Sequence, residues 1–306
     1  MCRKSLFFIV FALLLTTPAF AQTPTQAVGP IIDILGMWSG SLGTQEEQPL
    51  RGDPGVEVGE FLGMPINEAA RLHADSWNPT WASLPEWQNR PHPVTYSMRA
   101  PSGNFRMTAD LDPIYQNIIA YHIDGLFGRA DRVIYMDGRP RPSKYAEHKY
   151  QGFSLGSWEN GMLKVVTTHI KYAFIHRNGL PTSPYAVVTE YFAPHGEYMT
   201  HFYVVDDPVY LTEPLIRTTS YKRAPTQNVG RALPPEVVEE LASHERGEVP
   251  AYPLGTKHHE YSEIHKIPFE ATQGGAQTAY PEYMKRLQEL MKAQKPQSTT
   301  SSVEQR

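Results

Sequence analysis

Glu190 and His201 flank the pair His195-Gly196, with β-type alternation on both sides. If those two residues form a tight reversal, Glu190 faces His201 directly, with Val188, Phe192, Met199 and Tyr203 around them. A carboxylate opposite an imidazole on an apolar face raises the histidine pKa and fixes its tautomer, as in general bases. A structural ion pair gives the same pattern. A second reversal, Asn160-Gly161, favours a type I′ turn and opposes Trp158 to Leu163, Gly156 to Val165, Ser154 to Thr167 and Gly152 to His169. Alternation then gathers Gly152, Ser154, Gly156, Thr167, His169 and Lys171 on one face, where small side chains leave room for a ligand or mark close backbone packing. Arg177-Asn178-Gly179 reads as a turn or as a clamp for a carboxylate. The candidate catalytic residues are therefore His169, Glu190 and His201, and the candidate ligand-binding residues Lys171, Arg177, Asn178, Ser154 and Tyr203.

Other chemistries find less support. Twelve histidines invite a metal, yet no HExxH spacing occurs, and a zinc or iron site would have to be assembled from separate strands, such as His169, Glu190 and His201. No metal ligand is assigned, and the residues point to no cofactor. P-loop and GxGxxG patterns are missing, which removes the usual nucleotide-binding signatures. Asp110 and Asp112, and Asp206 and Asp207, could be read as paired carboxylates, but Asp112-Pro113 and Asp207-Pro208 read better as strand-ending turns.

The chain that must position these groups begins like a secreted one. Arg3 and Lys4, an unbroken apolar run over 6–15 and Ala19-Phe20-Ala21 form a signal-peptide pattern over 1–21, which predicts a periplasmic or secreted product after cleavage near Ala21. The single cysteine, Cys2, lies inside that segment, so the mature chain has no thiol chemistry. The formal net charge of −4 becomes two units more negative without Arg3 and Lys4, which argues against nucleic acid as a partner. No further apolar run reaches the length of a transmembrane segment. A small-molecule ligand or substrate is the expected partner, and nothing in the chain specifies an oligomeric state.

Hydrophobic residues make up 41%, enough for a core, while 27 prolines and 22 glycines require many interruptions. Residues 22–57 read as an irregular lead-in with a candidate first strand around Met37-Trp38. Residues 58–225 form a β-rich core domain that opens with a short helix beginning near Pro65 or Asn67. Its candidate strands are 94–99, 104–110, 116–123, 132–137, 152–159, 162–172, 185–192, 197–205 and 214–221. Short strands between turn residues predict a mainly β fold, an antiparallel barrel or sandwich. Residues 226–296 form a helical or irregular C-terminal extension, with helix-like spacing over 234–246 and 281–295, and 297–306 a polar tail expected to be disordered. Tyr-rich strands suit the wall of a barrel around an aromatic or terpenoid-sized ligand, and they suit an ordinary core as well.

The ordered string Ala120-Tyr121-His122, Met136-Asp137-Gly138-Arg139-Pro140, Gln151-Gly152-Phe153-Ser154, Trp158-Glu159, Thr167-Thr168-His169-Ile170-Lys171, Arg177-Asn178-Gly179, Thr189-Glu190 and Asp207-Pro208-Val209-Tyr210-Leu211-Thr212-Glu213-Pro214 resembles a large group of exported, uncharacterised bacterial proteins. The resemblance covers roughly 63–221. It implies a β-rich, lipocalin-like fold and brings no reaction with it. Asn89 stands where members often have cysteine and Arg141 where histidine is common, and the second departure argues against a metal in the 137–142 turn.

Three readings follow. One is an exported barrel that binds a small, partly apolar molecule in a pocket lined by His169, Lys171 and Arg177. Another is an enzyme on the same barrel, a lyase, isomerase or hydrolase using His169 or the Glu190–His201 pair for acid–base chemistry. The third is an envelope interaction protein that presents the Trp-rich stretch 77–87 and its C-terminal helices.

Overall fold

The computed structural model describes residues 34–40, 58–80, 83, 90–98, 104–125, 131–226 and 249–294. Its centre is a closed barrel. In chain order the described elements are β1 (Gly36–Gly40), α1 (Glu68–Asp75), α2 (Val94–Ser97), β2 (Phe105–Leu111), β3 (Ile118–Gly125), β4 (Arg132–Tyr135), β5 (Phe153–Glu159), β6 (Met162–Thr168), β7 (Ala173–His176), β8 (Leu180–Thr182), β9 (Val187–His195), β10 (Tyr198–Asp206), β11 (Leu215–Arg223), α3 (Glu260–His265), α4 (Phe269–Thr272) and α5 (Pro281–Gln294). Around the barrel the order is β1-β11-β10-β9-β6-β5-β4-β3-β2, and β1 closes it by pairing with both β11 and β2. Every neighbouring pair is antiparallel except β4 and β5, where Ile134 and Tyr135 align in parallel with Ser154 and Leu155. An up-and-down lipocalin barrel has eight antiparallel strands; this one has nine and a parallel pair.

The turn at Asn160-Gly161 has positive φ at both residues, +51° and +77°, the type I′ geometry, and it pairs Trp158 with Leu163, Gly156 with Val165 and Ser154 with Thr167. The ladder stops at Phe153–Thr168, so Gly152, His169 and Lys171 do not continue that face. The expected gathering of small residues around His169 is therefore cut off at Ser154 and Thr167. His169 itself turns away with φ +56°, which ends β6. The glycines mark close packing: a Cβ on Gly156 would stand 2.4 Å from Met136 Sδ and 2.9 Å from Ile134 Cγ2, and one on Gly152 2.6 Å from Thr167 Cγ2.

Alternation divides the barrel interior into layers. At one end Trp38, Phe105, Met107, Tyr121, Ile134, Leu163, Val165, Phe192, Met199 and Tyr221 make an apolar cluster. At the other, Val188, Tyr203, Val205 and Leu215 join Phe61, Met64, Ile66, Ala70 and Ala74 around α1. Arg132, Ser154, Thr167, Glu190, His201 and Thr219 occupy the inward positions of their strands between these clusters, all buried. The core is an apolar–polar–apolar sandwich along the strands.

Residues 94–99 carry a β-branched pattern that predicts a strand, yet Val94–Ser97 is a short helix. Tyr96 and Ser97 donate to the Pro93 carbonyl, and Val94, Thr95, Ser97 and Met98 are buried, a helical rather than an alternating spacing. The small hairpin β7–β8 lies between β6 and β9 in sequence, beyond the end of the expected strand 162–172, and its turn falls at Arg177-Asn178-Gly179. Helix α1 starts at Asn67, whose side chain accepts the Ala70 N–H at 3.0 Å. Backbone bonds from Phe61 to Thr272, from Gly275 to Met64 and from Tyr252 to Ser76 tie the C-terminal segment to α1 and its flanks. Helix α5 falls within the expected 281–295, whereas the expected helix over 234–246 lies outside the described residues. No helix among the described residues is long and apolar enough to cross a membrane.

Gly156→Val should drive its side chain into Met136 and Ile134 and destabilise the barrel by about 1–3 kcal/mol, the usual cost of overpacking. The check is a urea unfolding midpoint, expected to fall while the far-ultraviolet β spectrum persists.

Candidate functional site

The hydrogen-bonded part of the polar layer is assembled from five strands. Arg132 opens β4, Ser154 lies on β5, Thr167 on β6, Glu190 on β9 and His201 on β10. Relative exposure is 2% for Arg132, 1% for Glu190 and 0% for His201, so both charges and the imidazole are out of water. Arg132 Nη1 donates to Glu190 Oε1 at 2.9 Å while Nη2 donates to Oε2, the bidentate fork that suits a carboxylate. Nη2 also reaches Thr167 Oγ1 at 2.9 Å, and Nε reaches Ser154 Oγ at 3.3 Å. The Ser154 and Thr167 hydroxyls bond each other at 2.8 Å. On the far side of the carboxylate, His201 Nε2 sits 3.0 Å from Glu190 Oε1.

Burial alone pushes the Glu190 carboxyl up. The Arg132 charge and the hydrogen bonds from His201 and Arg132 outweigh it and hold the group down to about 2. Glu190 is therefore ionised at neutral pH and can only accept. His201 must then donate from Nε2, which fixes the tautomer and leaves Nδ1 as an acceptor in the neutral ring. That Nδ1 is buried and has no partner among the described residues. The ring is 4.6 Å from Phe192 and lies parallel to Tyr203 at 5.9 Å, so apolar faces surround it.

The hairpin that delivers this pair differs in register from the one expected. The loop is Gly196-Glu197, not His195-Gly196, and His195 pairs with Tyr198. Only Gly196 of the two has positive φ, +66°, as a II′ turn requires at its first central position. Glu190 consequently faces Tyr203, and His201 faces Phe192. The slip is two residues, one full period of a strand, so Glu190 and His201 keep the same face and meet diagonally.

Ser154, Glu190, His201 and Tyr203 thus share the barrel interior. The other expected site residues lie elsewhere. His169 sits just past β6 with both ring nitrogens engaged, Nε2 with the Ser143 carbonyl and Nδ1 with Thr168 Oγ1, each at 2.9 Å. Lys171 is exposed, with Nζ 5.4 Å from the centre of the Tyr150 ring. Arg177 and Asn178 belong to the β7–β8 connection, where Asn178 Nδ2 donates to the Glu60 carbonyl at 2.7 Å. Asp207 accepts from the Ser183 amide and hydroxyl and from the Val209 amide, and Asp112 accepts from the amides of Ile114 and Tyr115, which makes both of them turn residues. Among the described residues no three His, Asp or Glu side chains are grouped as a metal would need.

Arg132 is the member that sequence reasoning missed. Its partner is 58 residues away, beyond any local spacing rule. One signal was available: Arg132 shares its strand face with Ile134 and Met136, and a cation in register with core residues must be paired.

Glu190→Gln should cost about 3–5 kcal/mol, because it leaves the buried Arg132 charge uncompensated, while the double variant Arg132→Met/Glu190→Leu should recover much of that loss. Equal unfolding free energies for the single and double variants would contradict the pairing. The folded pKa of Glu190 is lowered, so its contribution is complete above about pH 4.5 and disappears as pH falls toward 2. Between those limits the wild type should lose on the order of 3 kcal/mol more than the double variant, measured by urea unfolding at stepped pH.

Comparison of the chain with protein-family models, with curated proteins and with solved structures gives no match, so the residues and their geometry carry the functional reading.

Proposed function

We propose that the protein is an exported barrel that holds a small, partly apolar molecule against its polar layer, with His201 Nδ1 as the anchoring acceptor. The observation that carries this reading is the orphaned nitrogen: Nδ1 is buried without a partner while Nε2 is committed to Glu190. A buried acceptor left unsatisfied costs about 1–3 kcal/mol, and a ligand hydroxyl or N–H removes that cost. The flanking Phe192, Met199, Tyr203 and Tyr221 suit an apolar body, with Ser154 and Tyr203 supplying polar edges. His169, Lys171, Arg177 and Asn178 lie outside this layer and take no part in the reading. Export rests on the signal-peptide pattern over 1–21.

A second reading has its own support. The carboxylate that fixes the His201 tautomer makes Nδ1 a positioned base, as in enzymes that move a proton in lyase, isomerase or hydrolase chemistry. The two readings share a site and differ in whether the bound molecule is altered.

The mature protein, prepared from the envelope fraction of an expressing cell, should carry a small molecule detectable by native mass spectrometry. Occupancy should fall at least tenfold in His201→Leu at a similar melting temperature. Nitrogen NMR should find His201 protonated at Nε2 and not at Nδ1 at neutral pH. Equal occupancy in the variant, or a proton on Nδ1, removes the binding reading; recovery of the molecule chemically changed favours the enzyme.

A further inference from the structure

A second feature, remote from the barrel interior, carries an inference of its own. Where α1 meets the C-terminal segment there is a cleft of about 370 Å³, lined among others by Arg71, Leu72, Asp75, Lys257, Phe269 and Glu270. That volume falls at the low end of small-molecule sites, about 300–1,000 Å³. The cleft exists because the chain after 250 is laid across the end of α1. Tyr252 donates its amide to the Ser76 carbonyl, Ala251 bridges to Trp77, and His258 Nε2 reaches the Asp75 carbonyl at 2.8 Å.

Asp75, the last residue of α1, is enclosed by this crossing and keeps only 7% exposure. Its carboxylate has no hydrogen-bond partner among the described residues. The nearby guanidinium does not serve it: Arg71 Nε is held by the Gln273 carbonyl at 2.7 Å, and Nη1 by Glu68. Little of Asp75 reaches solvent, and burial raises its carboxyl above the ordinary pKa, so hydrogen-bond donors supplied from outside the chain would favour the charged form. Asp75 lines the cleft, so the supply can come from there. With Glu68 and Arg71 neutralising each other, Asp75 and Glu270 stand against Lys257, and the remaining balance is negative. Leu72 and Phe269 add apolar wall beside it.

We infer that this cleft binds a small organic ammonium ion, its N–H donors on the Asp75 carboxylate and its apolar body against Leu72 and Phe269. The inference is independent of the barrel site, and neither reading needs the other. An ammonium supplies both the charge and the donors that Asp75 lacks, and a neutral alcohol of the same shape supplies only one donor.

The test is titration of the full mature chain with 2-phenylethylammonium and with 2-phenylethanol, followed by calorimetry and by amide shifts in α1. The ammonium should bind in the millimolar range or tighter, and the alcohol at least tenfold more weakly. Asp75→Asn should weaken the ammonium at least tenfold, whereas Asp206→Asn, which removes an exposed carboxylate on β10, should leave it unchanged. If Asp75→Asn does not fold, Leu72→Arg, at an exposed position on the cleft wall, should produce the same loss by adding a like charge. Absence of binding at 20-fold millimolar excess, equal binding of the alcohol, or equal loss in Asp206→Asn would overturn the proposal.

Discussion

A carboxylate and a guanidinium, both out of water, impose the strongest constraint in this fold. Burying either alone costs many kcal/mol, so Arg132 and Glu190 can exist inside the barrel only where each satisfies the other. Satisfying the guanidinium takes more than Glu190. Its remaining donors need Ser154 and Thr167, so β4, β5, β6 and β9 must all bring an inward residue to one level. A slip of one residue in any of these strands would turn its contribution outward and strand a charge. Buried ion pairs add little net stability compared with apolar packing, but they discriminate sharply against wrong registers. In this barrel the discrimination spans the one parallel contact, β4 with β5, where no turn fixes the alignment.

How far the sequence revealed this depends on whether the determining contact is local. Asn160-Gly161 is a local determinant, and three of its cross-strand pairs follow from turn chemistry alone. The second hairpin is ambiguous by nature: both His195-Gly196 and Gly196-Glu197 are loops with one glycine, and only backbone sign distinguishes them. The face of Glu190 and His201 survived that ambiguity because the alternatives differ by a whole strand period. Nothing local announced the β4–β5 pairing, since the chain from 136 to 152 lies between those strands. The same distance hid Arg132. The 94–99 segment failed for a different reason, because the prolines ahead of Val94 and the helical spacing of its buried residues outweighed β-branched propensity.

The candidate site fared unevenly for related reasons. His169 lies one residue past the end of the first hairpin's ladder and Lys171 three, so alternation extended to them assigns the interior face where no strand continues. The ladder ends where His169 enters the left-handed region, and from there alternation no longer predicts a face. Arg177 and Asn178 sit in the turn of the β7–β8 hairpin, as the turn reading of Arg177-Asn178-Gly179 has it, and not on a strand of the barrel. Distance along a strand from its turn is thus the measure of how far a register argument can be trusted, and Ser154 and Thr167 lie within that reach.

The orphaned nitrogen of His201 follows from the same electrostatic constraint. A carboxylate has two oxygens, and Arg132 occupies both, so His201 shares Oε1 as a third donor. The imidazole must turn Nε2–H toward Glu190, because Glu190 is held ionised and offers no proton to accept. Nδ1 is then aimed among Phe192 and the tyrosines, where no donor of the described chain answers it. Were the layer only a device for register, a leucine at His201 would complete it at lower cost, since Arg132 already neutralises Glu190. The imidazole instead places an unmet acceptor beside the satisfied Arg132–Glu190 pair, a local cost that apolar packing at this position would not carry.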